Sequence, residues 1–258
     1  MPALLKADRT VMRDLHLSVL RLVADAAQAY GELGLRLEGG TALAAYHLRH
    51  RESEDLDLFG TPVMDARDFA RFLRERAPGG GLAVARAGPA NRGFAELLMT
   101  EGGGAPGPPL RVQLGVRSPF SLAPPDATEE GVPAASYRDL CAGKLHAICD
   151  RFEPRDFVDL HAILHRPDPT TGALPGEKDR RGRLRDLIAD LQTVDPGLPL
   201  PRVGEAVARG LTPDLITGFP LRLLQPYTNA AVRATVDCCC DEIAVMVREA
   251  WEGPSRST

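Results

Sequence analysis

The sequence predicts an α+β protein in which a sheet-bearing first half is followed by a helical second half. Strand-like segments alternate with helical periodicity up to about residue 116, whereas only helical periodicity appears after residue 135. Pro119, Pro124, Pro125 and Pro133 mark the connection between them. The expected division is a core over residues 1–134 and a helical domain over 135–258.

Taken in order, apolar residues from Val11 through Ala27 recur at helical spacing and stop before the turn signal Tyr30-Gly31-Glu32-Leu33-Gly34. A short strand over Leu35 to Glu38 follows. Gly39-Gly40-Thr41 then turns into a helix from Ala42 to about Arg49, with the Thr41 hydroxyl suited to cap it. Glu54-Asp55-Leu56-Asp57-Leu58-Phe59 alternates as a strand does. A helix is expected from Met64 to Arg76, then strands over Leu82 to Arg86, Phe94 to Thr100 and Leu110 to Val116. The stretch from Gly102 to Pro109, rich in glycine and proline, reads as a hairpin connection or an excursion. Helices are expected over Tyr137 to Asp150, Arg155 to His165, about Arg181 to Gln192 and about Ala230 to Trp251.

Composition narrows the function classes. The 258 residues, 44% hydrophobic, suffice for a folded core. No apolar run reaches the roughly 18 residues of a membrane helix, and the opening MPALLKADRT lacks the apolar centre of a signal peptide, so a cytoplasmic protein that does not enter membranes is expected. Five cysteines without a CxxC pair fit a reducing compartment, with Cys238, Cys239 and Cys240 as buried filler. A net charge of −4 argues against non-specific coating of nucleic acid. It leaves room for a local patch where Lys178, Arg180, Arg181, Arg183 and Arg185 fall close together, although a solvated helix start accounts for them somewhat better.

The chemistry concentrates in the aspartate strand. Alternation sends Leu56 and Leu58 to one face and Asp55 and Asp57 to the other, with their Cα atoms about 6.5 Å apart. Two carboxylates aimed at one spot destabilise a strand unless a cation lies between them, and hard oxygen ligands of this kind suit Mg²⁺ together with substrate phosphates. The Gly39-Gly40-Thr41 turn offers backbone amides to an anion. A phosphate cradle beside a two-carboxylate strand is minimal equipment for phosphoryl or nucleotidyl transfer. Further on, Lys144 emerges from an apolar stripe of Leu140, Cys141, Ala147 and Ile148, where lysine rarely stands without a partner or a task. Asp156 and Asp159 share one face of the following helix and are placed to meet it; a buried Lys–Asp pair joining two helices is the purely structural alternative.

Gly39-Gly40-Thr41-Ala42-Leu43 followed by Arg51-Glu52-Ser53-Glu54-Asp55-Leu56-Asp57-Leu58-Phe59 resembles, in residues and spacing, the signature of the AbiEii/AbiGii nucleotidyltransferase toxins of type IV toxin–antitoxin systems. The block from Lys144 through Arg151, Arg155, Asp156 and Asp159 is similar to the family's later motifs. The resemblance implies a DNA-polymerase-β-like core with a mixed sheet, its paired aspartates on a central strand, and a helical domain that completes the active site. It assigns Asp55 and Asp57 to Mg²⁺, Gly39, Gly40, Thr41, Arg51, Ser53 and Lys144 to the nucleotide, and Asp159, secondarily Asp156, to a general-base or orienting role. It also implies transfer of a nucleoside monophosphate from an NTP to the tRNA 3′ end, growth arrest, phage defence and a cognate antitoxin. A protein or small-molecule acceptor, or a non-catalytic NTP-binding relative, is the alternative.

One position departs from the pattern. Polymerase-β-like enzymes carry a third carboxylate on a later strand, where this sequence has Gln113. An amide ligates but takes no proton, so Asp156 or Asp159 replaces the function, or one metal is held firmly, or Glu96 contributes. His161 and His165, four apart on a helix with His146 nearby, read as polar filler rather than a metal pair, and His47 and His50 as exposed flanking residues.

Overall fold

The aspartate strand lies inside a five-stranded mixed sheet, and the sheet's register fixes what surrounds it. The computed structural model describes residues 4–103, 107–117, 120–212, 214–217 and 221–252. It divides into two compact units, residues 1–140 and 141–258.

In the first unit, α1 (Asp14–Tyr30) precedes β1 (Arg36–Glu38) and α2 (Gly39–Leu43), which continues as a π-helical turn over Ala44–Leu48. Arg49 closes that turn in the left-handed region at φ 51°. Next come β2 (Asp55–Gly60), α3 (Ala66–Arg76), β3 (Leu82–Ala90), β4 (Phe94–Glu101) and β5 (Leu110–Val116). The strand order is β1-β2-β5-β4-β3; β2 runs parallel to β5 and the other neighbours are antiparallel. Alternation gives the sheet one apolar side, on which Leu56, Leu58, Leu97, Met99, Val112 and Leu114 are buried. α1 and α3 pack against the sheet, burying Val19, Val23, Phe69 and Leu73. The outer edge of β1 is covered: Leu37 donates its amide to Pro133 O at 2.8 Å and accepts at its carbonyl from Ala135 N at 2.9 Å.

The second unit is built from helices. α4 (Tyr137–Asp150) crosses the division, followed by α5 (Pro154–Leu164), α6 (Glu177–Val194), α7 (Leu200–Ala208) and α8 (Asn229–Glu252). α8 packs on α5, α6 and α7 through Val232, Val236, Cys239 and Ile243, all buried. Among the described residues no helix is long and apolar enough to cross a membrane.

Several boundaries differ from expectation. α7 is absent from the sequence-based reading, because Pro199, Pro201 and Gly204 look like breakers; yet Pro201 sits in the first turn, where a helix lacks amide partners anyway. α2 begins at Gly39 rather than Ala42, so Thr41 lies within it and Glu38 is the N-cap, with no side-chain cap bond. Cys239 is buried, whereas Cys238 and Cys240 are half-buried. Residues 104–106, within the glycine-rich stretch, and Pro119 lie outside the described residues.

Candidate active site

β2 presents its carboxylates on the side opposite the buried leucines: Asp55 and Asp57 are half-buried while Leu56 and Leu58 are fully enclosed. The chain at the start of α2 is drawn close to them. Gly39 adopts φ +71°, and a Cβ there would fall inside the van der Waals radius of Asp57 Oδ2. Both facts demand glycine: the left-handed backbone and the absence of a side chain let the main chain touch the carboxylate. A Cβ at Gly40 would collide with the Arg51 guanidinium. Arg51 is itself buried and donates through Nη1 to Glu52 O at 3.0 Å. The Thr41 hydroxyl donates to the Asp55 carbonyl, which pins α2 to the start of β2 in place of the expected cap. Ser53 is half-buried in the segment joining Arg51 to β2. Gly39, Gly40, Thr41, Arg51, Asp55 and Asp57 are therefore gathered in one place.

Register adds Glu38 and Arg111, which the sequence did not single out, to Gln113 and Glu96, which it did. Asp57 lies opposite Glu38 on β1 and Gln113 on β5, and Gln113 lies opposite Glu96 on β4. Glu38 is committed to cations, 2.5 Å from Arg36 Nε and 3.4 Å from Arg117 Nε. Gln113 donates from Nε2 to Glu96 Oε2 at 3.3 Å, so its amide nitrogen points along the row toward β4. Arg111, opposite Asp55 in register, has its Nε 3.8 Å from Asp55 Oδ1 and 3.9 Å from Glu96 Oε2. Alternation in Leu110-Arg111-Val112-Gln113 contained this signal, but only the β2–β5 pairing reveals that Arg111 faces Asp55.

Two half-buried carboxylates, one against backbone and one beside an arginine, form a hard-oxygen donor set that fits a single Mg²⁺. Among the described residues no group of three His, Cys, Asp or Glu side chains is arranged to hold a metal. The third-carboxylate position on β5 is the amide of Gln113, with Glu96 beside it on β4.

The second unit holds a cluster of opposite character. Lys144 Nζ lies 3.2 Å from Asp156 Oδ1 and 2.7 Å from Asp159 Oδ2. Arg151 adds Nε at 3.0 Å and Nη2 at 3.4 Å to Asp156. Both aspartate side chains are 0% exposed and Lys144 only 7%. The two buried carboxylates join α4 to α5 through Lys144 and the half-exposed Arg151, and the full burial of Asp159 suits it to orienting Lys144 better than to taking protons from solvent.

Two residues of the basic run on α6 are paired: Arg181 with Glu177 and Glu242 at 2.8 and 2.9 Å, and Arg185 with Glu242 and Glu249 at 2.5 and 2.8 Å. His50 is buried rather than exposed, and His47 half-buried. His16 on α1, which periodicity treats as one more core position, is 1% exposed and held neutral, burial pushing its imidazole down to about 4.

A family model described as nucleotidyl transferase AbiEii toxin, type IV toxin–antitoxin system, matches residues 21–222. Comparison with curated proteins found no match. Among solved structures, the chain is similar to MenT4, a nucleotidyltransferase toxin of Mycobacterium tuberculosis, with a TM-score of 0.58 and 21% identity over 89% of this chain and 81% of that one. It is also similar to JHP933 of Helicobacter pylori, with a TM-score of 0.51 and 15% identity over 92% of this chain and 94% of that one. At those identities the structures speak for the fold, a polymerase-β-like α+β core with a helical C-terminal domain, while the family model speaks for the enzyme. The chain belongs to the AbiEii nucleotidyltransferase toxin family of type IV toxin–antitoxin systems.

Proposed function

We propose that this nucleotidyltransferase moves a nucleoside monophosphate from an NTP to the 3′ end of tRNA at the face formed by β2 and the Gly39-Gly40 turn. The observation that carries the reading is the contact between Gly39 backbone and the Asp57 carboxylate, beside a second carboxylate at Asp55. Asp55 and Asp57 would hold Mg²⁺, which when bound supplies charge neutralisation for the triphosphate. The backbone of Gly39 and Gly40, the Arg51 guanidinium and the Ser53 hydroxyl bind phosphate oxygens, and Thr41 positions them by fixing α2 to β2. Lys144 adds positive charge for the triphosphate, held in orientation by Asp159 and Asp156. An acceptor hydroxyl attacks the α-phosphorus in line, pyrophosphate departs, and the hydroxyl proton passes to solvent or to pyrophosphate.

The same reading includes cytoplasmic action, growth arrest, a role in phage defence and a cognate antitoxin. A second reading, with a protein or small-molecule acceptor, draws on the partly neutralised α6 run, since the ion pairs of Arg181 and Arg185 leave less charge for phosphate contacts. The test incubates the protein with Mg²⁺, each labelled NTP in turn, and purified tRNA or lysate protein, beside the Asp55→Ala, Asp57→Ala double variant. Label on the tRNA 3′ end that the variant fails to add is the expected result. Label on protein instead would replace the acceptor, and label added equally by the variant would overturn the site.

A further inference from the structure

The second unit contains a cleft of about 340 Å³ between α5, α6 and α8, near the lower edge of the roughly 300–1,000 Å³ range of small-molecule sites. Leu164, Leu184, Ala231 and Ala234 give it apolar walls, and His161 and His165 supply aromatic surface. The two rings stack, with centroids 4.1 Å apart and planes 27° from parallel, and Tyr227 meets His161 edge-on at 4.6 Å. The Thr235 hydroxyl lies 2.8 Å from His161 Nδ1 and 3.2 Å from Ala231 O. His165 Nδ1 donates to the His161 carbonyl at 2.9 Å. Burial, aided by the charges of Arg180 and Arg183, holds the His165 imidazole below its usual range. The stacked pair presents a flat aromatic surface, and burial favours the neutral form of its His165 ring.

Positive charge comes from α6. Arg181, also lining the cleft, is committed to Glu177 and Glu242. Arg180, which lines it too, donates to Pro175 O at 2.9 Å, and Arg183 donates to Leu164 O at 3.3 Å and Arg166 O at 2.5 Å. Arg183 lies outside the cleft lining and near the Asp168 carboxylate, whereas Arg180 lines the cleft and, among the described residues, forms no ion pair with a carboxylate.

We infer that this cleft binds a small planar aromatic carrying one anionic group, its ring against the His165 and leucine surfaces and its anion toward Arg180. The cleft lies wholly within the second unit, and the inference stands independently of the nucleotidyl transfer proposed above.

Naphthalene-2-sulfonate is the probe. It is titrated calorimetrically into the full-length protein and tested for protection of Cys238, which lines the cleft, against iodoacetamide, with half-buried Cys240 as the internal comparison by tandem mass spectrometry. The expected result is one saturable site, about tenfold weaker binding in Arg180→Gln and for neutral 2-naphthalenemethanol, and slowed alkylation at Cys238 but not Cys240. Ala234→Trp, which fills the cleft, should abolish binding, and an unchanged circular dichroism spectrum shows that both variants fold. Absence of saturable binding, equal affinity for the neutral analogue, or binding that survives both substitutions would overturn the inference.

Discussion

The two acidic pairs of this protein are chemically alike and physically opposite. Asp156 and Asp159 are fully enclosed beside Lys144 and Arg151, where they join two helices and hold Lys144 in orientation. Asp55 and Asp57 are half-buried on one sheet face, where Arg111 approaches Asp55 at 3.8 Å and glycine backbone is pressed against Asp57. Like charges on one strand face are destabilising, which is the physical ground for the proposal that this pair serves a ligand. The difference separates carboxylates that face solvent from carboxylates that hold a lysine in place more sharply than residue type does.

The largest effect expected is on turnover. Asp57→Asn removes a carboxylate from the pair while keeping its shape, and should lower nucleotide transfer by about 10³-fold, or about 4 kcal/mol in the barrier. Its unfolding free energy should stay within about 0.5 kcal/mol of wild type or rise. A loss of several kcal/mol in urea unfolding would give Asp57 a structural role and erase the distinction.

Next in size is the converse substitution. Lys144→Met leaves Asp159 buried beside an apolar side chain, at an expected loss of about 3–5 kcal/mol in the urea unfolding of the second unit. If the variant unfolds at the wild-type midpoint with an unchanged slope, the network contributes nothing to holding α4 on α5.

His16 supplies a third kind of buried polar group, one held neutral. Its folded value of about 4 lies below the ordinary 6.5, so as pH falls the unfolded chain takes up this proton before the folded one does. The stability it contributes is full above pH 6.5 and lost between 6.5 and 4, by roughly 3 kcal/mol. His16→Leu should flatten the unfolding profile across that window; an unaltered slope would place the acid sensitivity elsewhere. The smallest effect is expected from Thr41→Val, which deprives the Asp55 carbonyl of its hydroxyl donor and should cost about 1–3 kcal/mol, read from the thermal midpoint. Activity should fall with it if α2 must be pinned to β2.

Much of the site is legible in the amino-acid sequence, because it rests on strong local signals. Alternation places Asp55 and Asp57 on the face opposite Leu56 and Leu58, and Lys144 with Asp156 and Asp159 follows from three- and four-residue helical spacing. β5 and α4 are legible to the residue, since Leu110 to Val116 alternates without interruption and Tyr137 to Asp150 keeps helical period throughout. What escapes depends on distant pairing or on backbone detail. The parallel register that sets Arg111 beside Asp55 and Gln113 beside Asp57 is invisible in either strand alone. Gly39 announces a turn but not its approach to Asp57, and the bond from Thr41 to Asp55 crosses fourteen residues that local capping rules do not span. The α6 arginines look like a patch because their partners Glu242 and Glu249 lie on α8, far along the chain.

The central claim, that Asp55 and Asp57 form a nucleotide-binding metal site, is tested most directly by thermal unfolding with Mg²⁺ and each NTP, comparing wild type with the Asp55→Asn, Asp57→Asn double variant. A Tm that rises with nucleotide only when Mg²⁺ is present, and only in wild type, is the predicted result. An equal rise in the double variant, or a rise in wild type that is indifferent to Mg²⁺, would contradict it.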